Sequence, residues 1–215
     1  MDTKIYDAIV IVTPADFKRV ECNNQRIVEY LPVRKVLFVG SEELKELVRQ
    51  SNLGDKAGFV NENDIIPFED VYNCMKDVMA DILLVRELPR GLVGWYYQQF
   101  LKMKYSALCD DEYYMSWDGD TVPCKDFSMF DSEGRPYFDM KYEYHEEYFI
   151  TMETILPSVK KIVDKSFISE HMIFNRNYMN ELISEIESNE NIKGTTFWEK
   201  ILNSIRLEHI QENSF

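Results

Sequence analysis

A chain of 215 residues that is 45% hydrophobic and 13% aromatic has ample apolar material for one fairly large packed domain, which excludes a disordered chain. Its 38 acidic against 24 basic residues leave a formal charge of −14, which excludes a strongly basic nucleic-acid-binding surface, because phosphate-backbone binding draws on positive charge. No apolar run approaches the length of a membrane span, and the short apolar segment near Met1 reads as a strand rather than a signal peptide, so a cytoplasmic protein is expected.

Tyr6 to Thr13 is a near-continuous β-branched run, the mark of a strand buried on both faces. Pro14 and Asp16 suit the first turn of a helix, which is expected to reach Tyr30 and stop at Pro32. Arg34 to Gly40 reads as a second strand, and Ser41 as the cap of a helix that ends near Gly54. This alternation predicts a parallel sheet wound with helical crossovers. Asp55 to Pro67 reads as loop around a short third strand at Gly58 to Val60, and Phe68 to about Val85 has helical spacing. The helix from Leu92 to about Leu108 has an apolar side (Tyr97, Phe100, Leu101, Tyr105, Leu108) and a second side carrying Trp95, Gln98 and Lys102. Its amino end should lie at the carboxyl edge of the sheet, where Arg90, Trp95 and Gln98 could meet a ligand, with Lys102 a turn deeper.

The stretch Tyr113 to Thr121 (YYMSWDGDT) organises the rest. Aromatic residues fit a pleated, half-buried strand, and Asp118-Gly119-Asp120 must leave the ladder, Gly119 supplying backbone freedom for the bend. Two carboxylates at the carboxyl end of a buried strand point to a hard divalent cation that carries a phosphate-bearing substrate. Asp-Gly is also a common turn signal, and an acidic chain yields a D-x-D spacing by chance.

Beyond the bend, Phe127 to Asp131 and Pro136 to Met140 flank a hairpin turn at Gly134, and Tyr142 to Phe149 reads as an aromatic binding rim or the start of a helix. Ser166 to Phe174 has strand-like alternation that sends Glu170 and His171 to opposite faces, which argues against both lining one site. Asn175 caps a further helix, and Thr196 with Glu199 forms a capping box for the last one, through about Leu207. Cys22, Cys74, Cys109 and Cys124 lack paired zinc-type spacing and read as reduced, core or incidental residues. His145, His171 and His209 are too scattered for a histidine-based metal centre.

Three segments, Ile11 to Val20, Gly94 to Met103 followed by Ser116 to Thr121, and Ser166 to Phe174, give the chain a resemblance to the nucleotide-sugar-dependent glycosyltransferases of the GT-A fold. Within that fold it resembles an uncharacterised bacterial glycosyltransferase-like family with a D-x-D motif. The resemblance implies an α/β, Rossmann-like single domain over residues 1–215, with a mostly parallel central sheet, flanking helices and a small β-hairpin after the motif. It also implies that Asp118 and Asp120 hold Mn2+ or Mg2+ under the diphosphate, that Thr13 and Asp16 hold the base and ribose, and that His171 is a third metal or phosphate contact. Trp95, Gln98 and Lys102 would complete the nucleotide-sugar site. Glu170, Asp139 and Glu146 are the candidates for a general base. The implied donor is a nucleoside-diphosphate sugar, a UDP-sugar first, and the implied acceptor a glycan or lipid-linked glycan in bacterial surface-polysaccharide assembly, at the inner face of the membrane.

The alternative is a non-catalytic protein that binds nucleotide-sugar or glycan on the same fold. A nucleotidyltransferase is disfavoured, because no glycine-rich basic phosphate loop follows the first strand. The tail after the last helix ends in Asn213-Ser214-Phe215, where related sequences continue, so an incomplete acceptor side is expected.

Overall fold

The computed structural model describes residues 4–79 and 90–205. The first β-branched run forms strand β1 (Asp7–Ile11), and Ala8, Ile9 and Val10 are buried completely, as an internal strand requires. Strands β2 (Val36–Gly40), β3 (Ala57–Asn61) and β4 (Tyr113–Trp117) run parallel to it, and β5 (His171–Asn175) pairs antiparallel with β4. The order across the sheet is β3-β2-β1-β4-β5. This is the mostly parallel α/β sheet with flanking helices that the strand and helix alternation predicts.

The chain fills one side of β1 before β4 opens the other, so the strand order reverses between β1 and β4. In an open sheet the crevice at such a reversal, outside the carboxyl ends of the strands, is where ligands sit.

Helices α1 (Pro14–Arg19) and α2 (Glu21–Tyr30) follow β1, then α3 (Glu42–Gln50), α4 (Glu62–Ile65), α5 (Phe68–Val78), α6 (Arg90–Lys104), α7 (Glu146–Ile155), α8 (Arg176–Glu187) and α9 (Phe197–Ser204). Alternation along the strands divides the core between the two faces of the sheet. Ile9, Val39 and Tyr114 pack with α5, α6, α8 and α9, while Ala8, Val10, Phe38, Met115 and Trp117 pack with α1, α2 and α3. At the amino edge Arg34 bridges Asp7 at 2.8 Å and Asp111 at 2.7 Å, tying the starts of the two central strands together.

Several sequence expectations are corrected in detail. The helix expected to run unbroken to Tyr30 is interrupted at Val20, whose φ of −112° leaves the helical range. The stretch expected to be loop after β3 contains α4, because the Asn61 side chain caps it by accepting the Asn63 N–H at 2.9 Å. Leu108, expected on the apolar side of α6, is 48% exposed, since the helix gives way to a 3-10 turn at Tyr105–Ala107. Strand β5 covers only the second half of the Ser166 to Phe174 run. The fifth helix ends at Val78, short of the expected Val85, and the ninth at Ser204, where Ile205 turns extended, short of the expected Leu207; residues 80–85 and 206–207 lie outside the described ones.

The hairpin after the aspartates is narrow. A single antiparallel bridge joins Phe130 to Pro136, the Tyr137 N–H donates to the Met129 carbonyl at 2.8 Å, and Gly134 takes the left-handed φ of +77° that the turn needs. Asp131 Oδ1 accepts the N–H groups of Glu133 and Arg135, both at 2.9 Å, which fixes the turn from within. Two aromatic contacts hold the hairpin to the sheet, Phe130 lying 5.5 Å from Tyr6 and 5.0 Å from Tyr113, centroid to centroid.

The capping box at Thr196 and Glu199 is present as expected. The Thr196 N–H and, next, the Thr195 N–H bond the Glu199 carboxylate and hold its pKa down to about 2 from 4.5. Because the folded value is the lower one, the stabilisation is complete above the unfolded pKa and is lost as pH falls from about 4.5 toward about 2. In urea titrations the stability difference between wild type and Glu199→Gln should therefore shrink across that window. Thr196→Ala, which removes the cap itself, should cost about 1 kcal/mol at neutral pH.

The buried Tyr114 hydroxyl donates to the Lys102 carbonyl at 2.7 Å and so fastens the end of α6 to the central strand. Tyr114→Phe leaves that carbonyl short of a partner and should cost about 1 to 1.5 kcal/mol, read as a lower urea midpoint at unchanged slope.

Candidate functional site

On β4 the side chains alternate, so Tyr114 and Ser116 face α6 while Met115 and Trp117 face the other way. Asp118 continues the Tyr114–Ser116 side one residue past the strand. Its N–H still reaches across the ladder to the Glu170 carbonyl at 2.9 Å, and its carbonyl accepts the Thr121 N–H at 3.0 Å, closing a four-residue turn. The Trp117 indole N–H donates to the Thr121 carbonyl at 2.9 Å and clamps the turn from the opposite side.

Gly119 is not in the left-handed region. A Cβ there would lie 3.4 Å from Val10 Cγ1, an ordinary contact, so the bend does not depend on glycine's conformational freedom as the sequence suggests.

The Lys102 ammonium donates to Asp118 Oδ1 at 2.8 Å, with the lysine side chain 15% and the aspartate 35% exposed. Lys102 thus reaches the turn itself rather than lying a turn below it. The pair forms part of the wall of a cleft of about 730 Å3 on the α6 face of the sheet. Trp95, Gln98 and Gln99 of α6, Ser116 of β4, and Tyr148, Phe149 and Met152 of α7 line the same cleft. The second side of α6 recognised from its spacing therefore faces a cavity. The Arg90 side chain lies outside the described residues.

The far wall is a segment that sequence reasoning passed over. Lys160, Lys161 and Lys165, interleaved with Ile162 and Val163, come from the stretch after α7 and border the cleft, the Lys161 ammonium donating to the Lys165 carbonyl at 2.5 Å and the Lys165 ammonium lying 3.5 Å from the centre of the Tyr142 ring. With Lys102, four lysines and the two carboxylates of Asp118 and Glu170 are among the lining residues, an excess of basic side chains in a chain of net charge −14. A local basic cluster in an acidic chain is a signal the sequence does contain. Lys161 also lies 4.8 Å from the centre of the Phe149 ring.

Glu170 and His171 both border this cleft, contrary to the expectation from alternation. Glu170 precedes the strand, and β5 is the edge of the sheet, so its first residues adjoin cavities on both faces. The Glu170 carboxylate is held by Lys141 at 2.9 and 3.1 Å, and that bond keeps its pKa below the usual range.

The His171 ring lies on the Trp117 face, 4.9 Å from the indole, with Nε2 3.6 Å from Asp139 Oδ2. Its Nδ1 is buried and has no hydrogen-bond partner among the described residues. Register explains this placement, because His171 pairs with Trp117, whereas Asp118 belongs to the opposite side.

Asp120 is exposed and does not line the cleft. Among the described residues no three His, Cys, Asp or Glu side chains gather as a metal-binding group, so Asp118, Asp120 and His171 are not brought together. Thr13 and Asp16 lie past the end of β1, across the strand reversal, and are tied to each other. The Thr13 hydroxyl donates to Asp16 Oδ2 at 2.7 Å and accepts the Asp16 N–H at 3.1 Å, capping α1. The Thr13 and then the Arg19 bonds lower the Asp16 pKa. Neither residue lines the cleft. Glu146 opens α7 and Asp139 borders a separate, smaller cavity. Cys109 is buried, Cys74 partly so, and Cys22 and Cys124 are exposed; all four are free thiols.

Three solved structures are similar to this chain at low identity. Mouse xyloside xylosyltransferase 1, in its apo form, is 11% identical with a TM-score of 0.43, covering 95% of this chain and 82% of its own. Galactosyltransferase LgtC, in complex with donor and acceptor sugar analogs, is 12% identical with a TM-score of 0.47, covering 92% and 69%. The apo form of glycosyltransferase GlyE from Streptococcus pneumoniae TIGR4 is 10% identical with a TM-score of 0.40, covering 93% and 42%. No curated protein matches the sequence. The family of unknown function DUF6492 matches residues 31–213, and the chain belongs to that family.

Proposed function

We propose that the protein transfers a sugar from a nucleoside-diphosphate sugar, a UDP-sugar first, to a glycan or lipid-linked glycan acceptor in bacterial surface-polysaccharide assembly. The observation that carries this reading is the cleft on the α6 face of β4 and β5, with four lysines and Asp118 among its lining residues. A diphosphate is the anion such a lining suits, and the resemblance of the D-x-D and Gln-Gln segments to GT-A glycosyltransferases supports a nucleotide sugar as its carrier.

Oxygen donors at the turn suit a hard divalent ion. Among the described residues Asp118 keeps one carboxylate oxygen without a hydrogen bond, and the exposed Asp120 carboxylate has none. Mg2+ and Mn2+ sites that travel with a phosphate substrate need only one or two protein carboxylates, the remaining positions belonging to phosphate and water. Asp118 and Asp120 would hold the ion, which supplies positive charge against the departing diphosphate.

The chain's own groups do the rest. Lys102 places a fixed positive charge beside Asp118, and the three lysines of the far wall attract and orient the phosphates. Trp95, Gln98 and Tyr148 offer a flat surface and amide groups to the nucleoside or sugar, and Thr13 and Asp16 border the reversal on the β1 side, where the base and ribose are proposed to sit. The His171 ring lies on the Trp117 face with Nε2 toward Asp139, which leaves it out of the phosphate site as well as out of the aspartate pair. Glu170 lines the cleft, but its bond to Lys141 lowers its proton affinity and suits it to a fixed anion more than to a base.

One feature favours the non-catalytic alternative. Asp118 is already neutralised by Lys102, which would let a diphosphate bind without turnover. Release of free sugar from the donor, or its transfer, distinguishes the two.

Calorimetry with UDP should show binding at least tenfold tighter with Mn2+ than with chelator, and Asp120→Asn should abolish that difference while melting like the wild type. Equal affinity with and without chelator would remove the metal from the proposal. Lys102→Ala should weaken UDP binding at least tenfold. Because the lysine–aspartate pair is partly solvated, its loss should change stability by no more than about 1 kcal/mol. An unchanged dissociation constant would leave Lys102 a structural partner of Asp118 only.

A further inference from the structure

A second cavity, of about 180 Å3, lies on the Trp117 face of the sheet, beneath the hairpin. Its walls are the two arms of that hairpin, Phe127 on one and Tyr137 and Phe138 on the other, and its base is the start of β5. The arms are fixed: Phe127 stacks on Trp117 at 5.8 Å, and the Tyr137 N–H is bonded to Met129 across the hairpin. Tyr137 and Phe138 are nevertheless 54% and 47% exposed. The Phe138 ring lies 6.2 Å from that of Phe167, and exposed aromatic side chains gathered at a concavity mark a candidate binding surface.

The polar groups are as specific as the apolar ones. Asp139 Oδ2 accepts the Ser169 hydroxyl at 3.0 Å and stands 3.6 Å from His171 Nε2, too far for a direct hydrogen bond. A single ligand hydroxyl about 2.8 Å from each would bridge them, donating to the carboxylate and accepting from the ring N–H. Asp139 Oδ1 has no partner among the described residues and can take a second hydroxyl. A group with an apolar C–H face to lay on aromatic rings and adjacent hydroxyls on its rim is a pyranose ring, and the cavity is of the size of one such ring.

We propose that this pocket is a saccharide subsite, seating one pyranose ring against Phe127, Tyr137 and Phe138 with its hydroxyls on Asp139 and His171. His171 and Met172 border both cavities, so only the beginning of β5 separates this ring from the lysine-lined cleft. The ring is that of the acceptor; this assignment rests on the cleft being the donor site, whereas saccharide binding as such does not.

Saturation-transfer NMR with methyl glucoside, methyl galactoside and methyl N-acetylglucosaminide, irradiating the aromatic protons, tests it, with UDP calorimetry on the same samples. At least one glycoside should receive saturation from the wild type. The effect should fall at least fivefold in Phe138→Ala and in Asp139→Asn and survive in Phe138→Tyr, which keeps the ring, while UDP binding stays unchanged in all three. Absence of transfer to every glycoside, transfer indifferent to Phe138→Ala and Asp139→Asn, or equal loss in Phe138→Tyr and Phe138→Ala would overturn the proposal. If the glycoside result holds and the wild type fails to bind UDP, the saccharide subsite stands and the donor reading of the cleft falls.

Discussion

Alternation along one short strand governs what the molecule presents to its surroundings. β4 is buried on both faces between β1 and β5, so each of its five residues is committed to one side or the other. Tyr114 and Ser116 commit the α6 side to the cleft, Met115 and Trp117 commit the opposite side to the hairpin, and Asp118 inherits the first direction as the chain leaves the sheet. A shift of one residue in the pairing with β1 would exchange the two sides, and the cost of burying Asp118 among Val10, Phe38 and Met115 forbids it. Tyr114 adds a second constraint, because its hydroxyl bond to the Lys102 carbonyl sets how far along α6 the lysine stands relative to the aspartate.

Much of this was legible in the residues themselves. β-branched runs, Pro14 after a strand, and the Thr196 and Glu199 box are local signals whose physics is complete within a few residues, and each produced the expected element. The second side of α6 was legible because helical spacing alone places Trp95, Gln98 and Lys102 together. The failures have a common cause in long-range pairing. Only the register of β5 against β4 shows that His171 belongs with Trp117 and not with Asp118, and only the edge position of β5 lets Glu170 and His171 both reach the cleft. The lysines at 160, 161 and 165 were visible as a basic cluster, but nothing local says that the segment borders the same cleft as Ser116 and Asp118. Gly119 reads as a conformational necessity in sequence and occupies an unstrained position in the fold.

The charge distribution joins these observations to the proposed chemistry. A net charge of −14 repels anions at long range, so a nucleotide approaching this surface meets an unfavourable average field. The cleft reverses that sign over a short distance by drawing lysines from two separate parts of the chain. Within a Debye length the local charges dominate, which makes the cleft a selective place for an anion on an otherwise inhospitable surface.

The 53-residue passage from Asp118 to Glu170 departs from the sheet and returns to it at one point, closed by the hydrogen bond between the Asp118 N–H and the Glu170 carbonyl. Both cavities take walls from this passage, while β1 to β3, α1 to α3 and the paired helices α8 and α9 contribute none of the lining residues. The exposed positions of this passage that line the cavities can change without loss of a strand pairing, whereas Met129, Ile155 and Leu156 are buried in the core and Phe130 packs on Tyr6 and Tyr113, which ties those positions to the scaffold. Diversity within a family built this way would accumulate between the two ends of that one hydrogen bond.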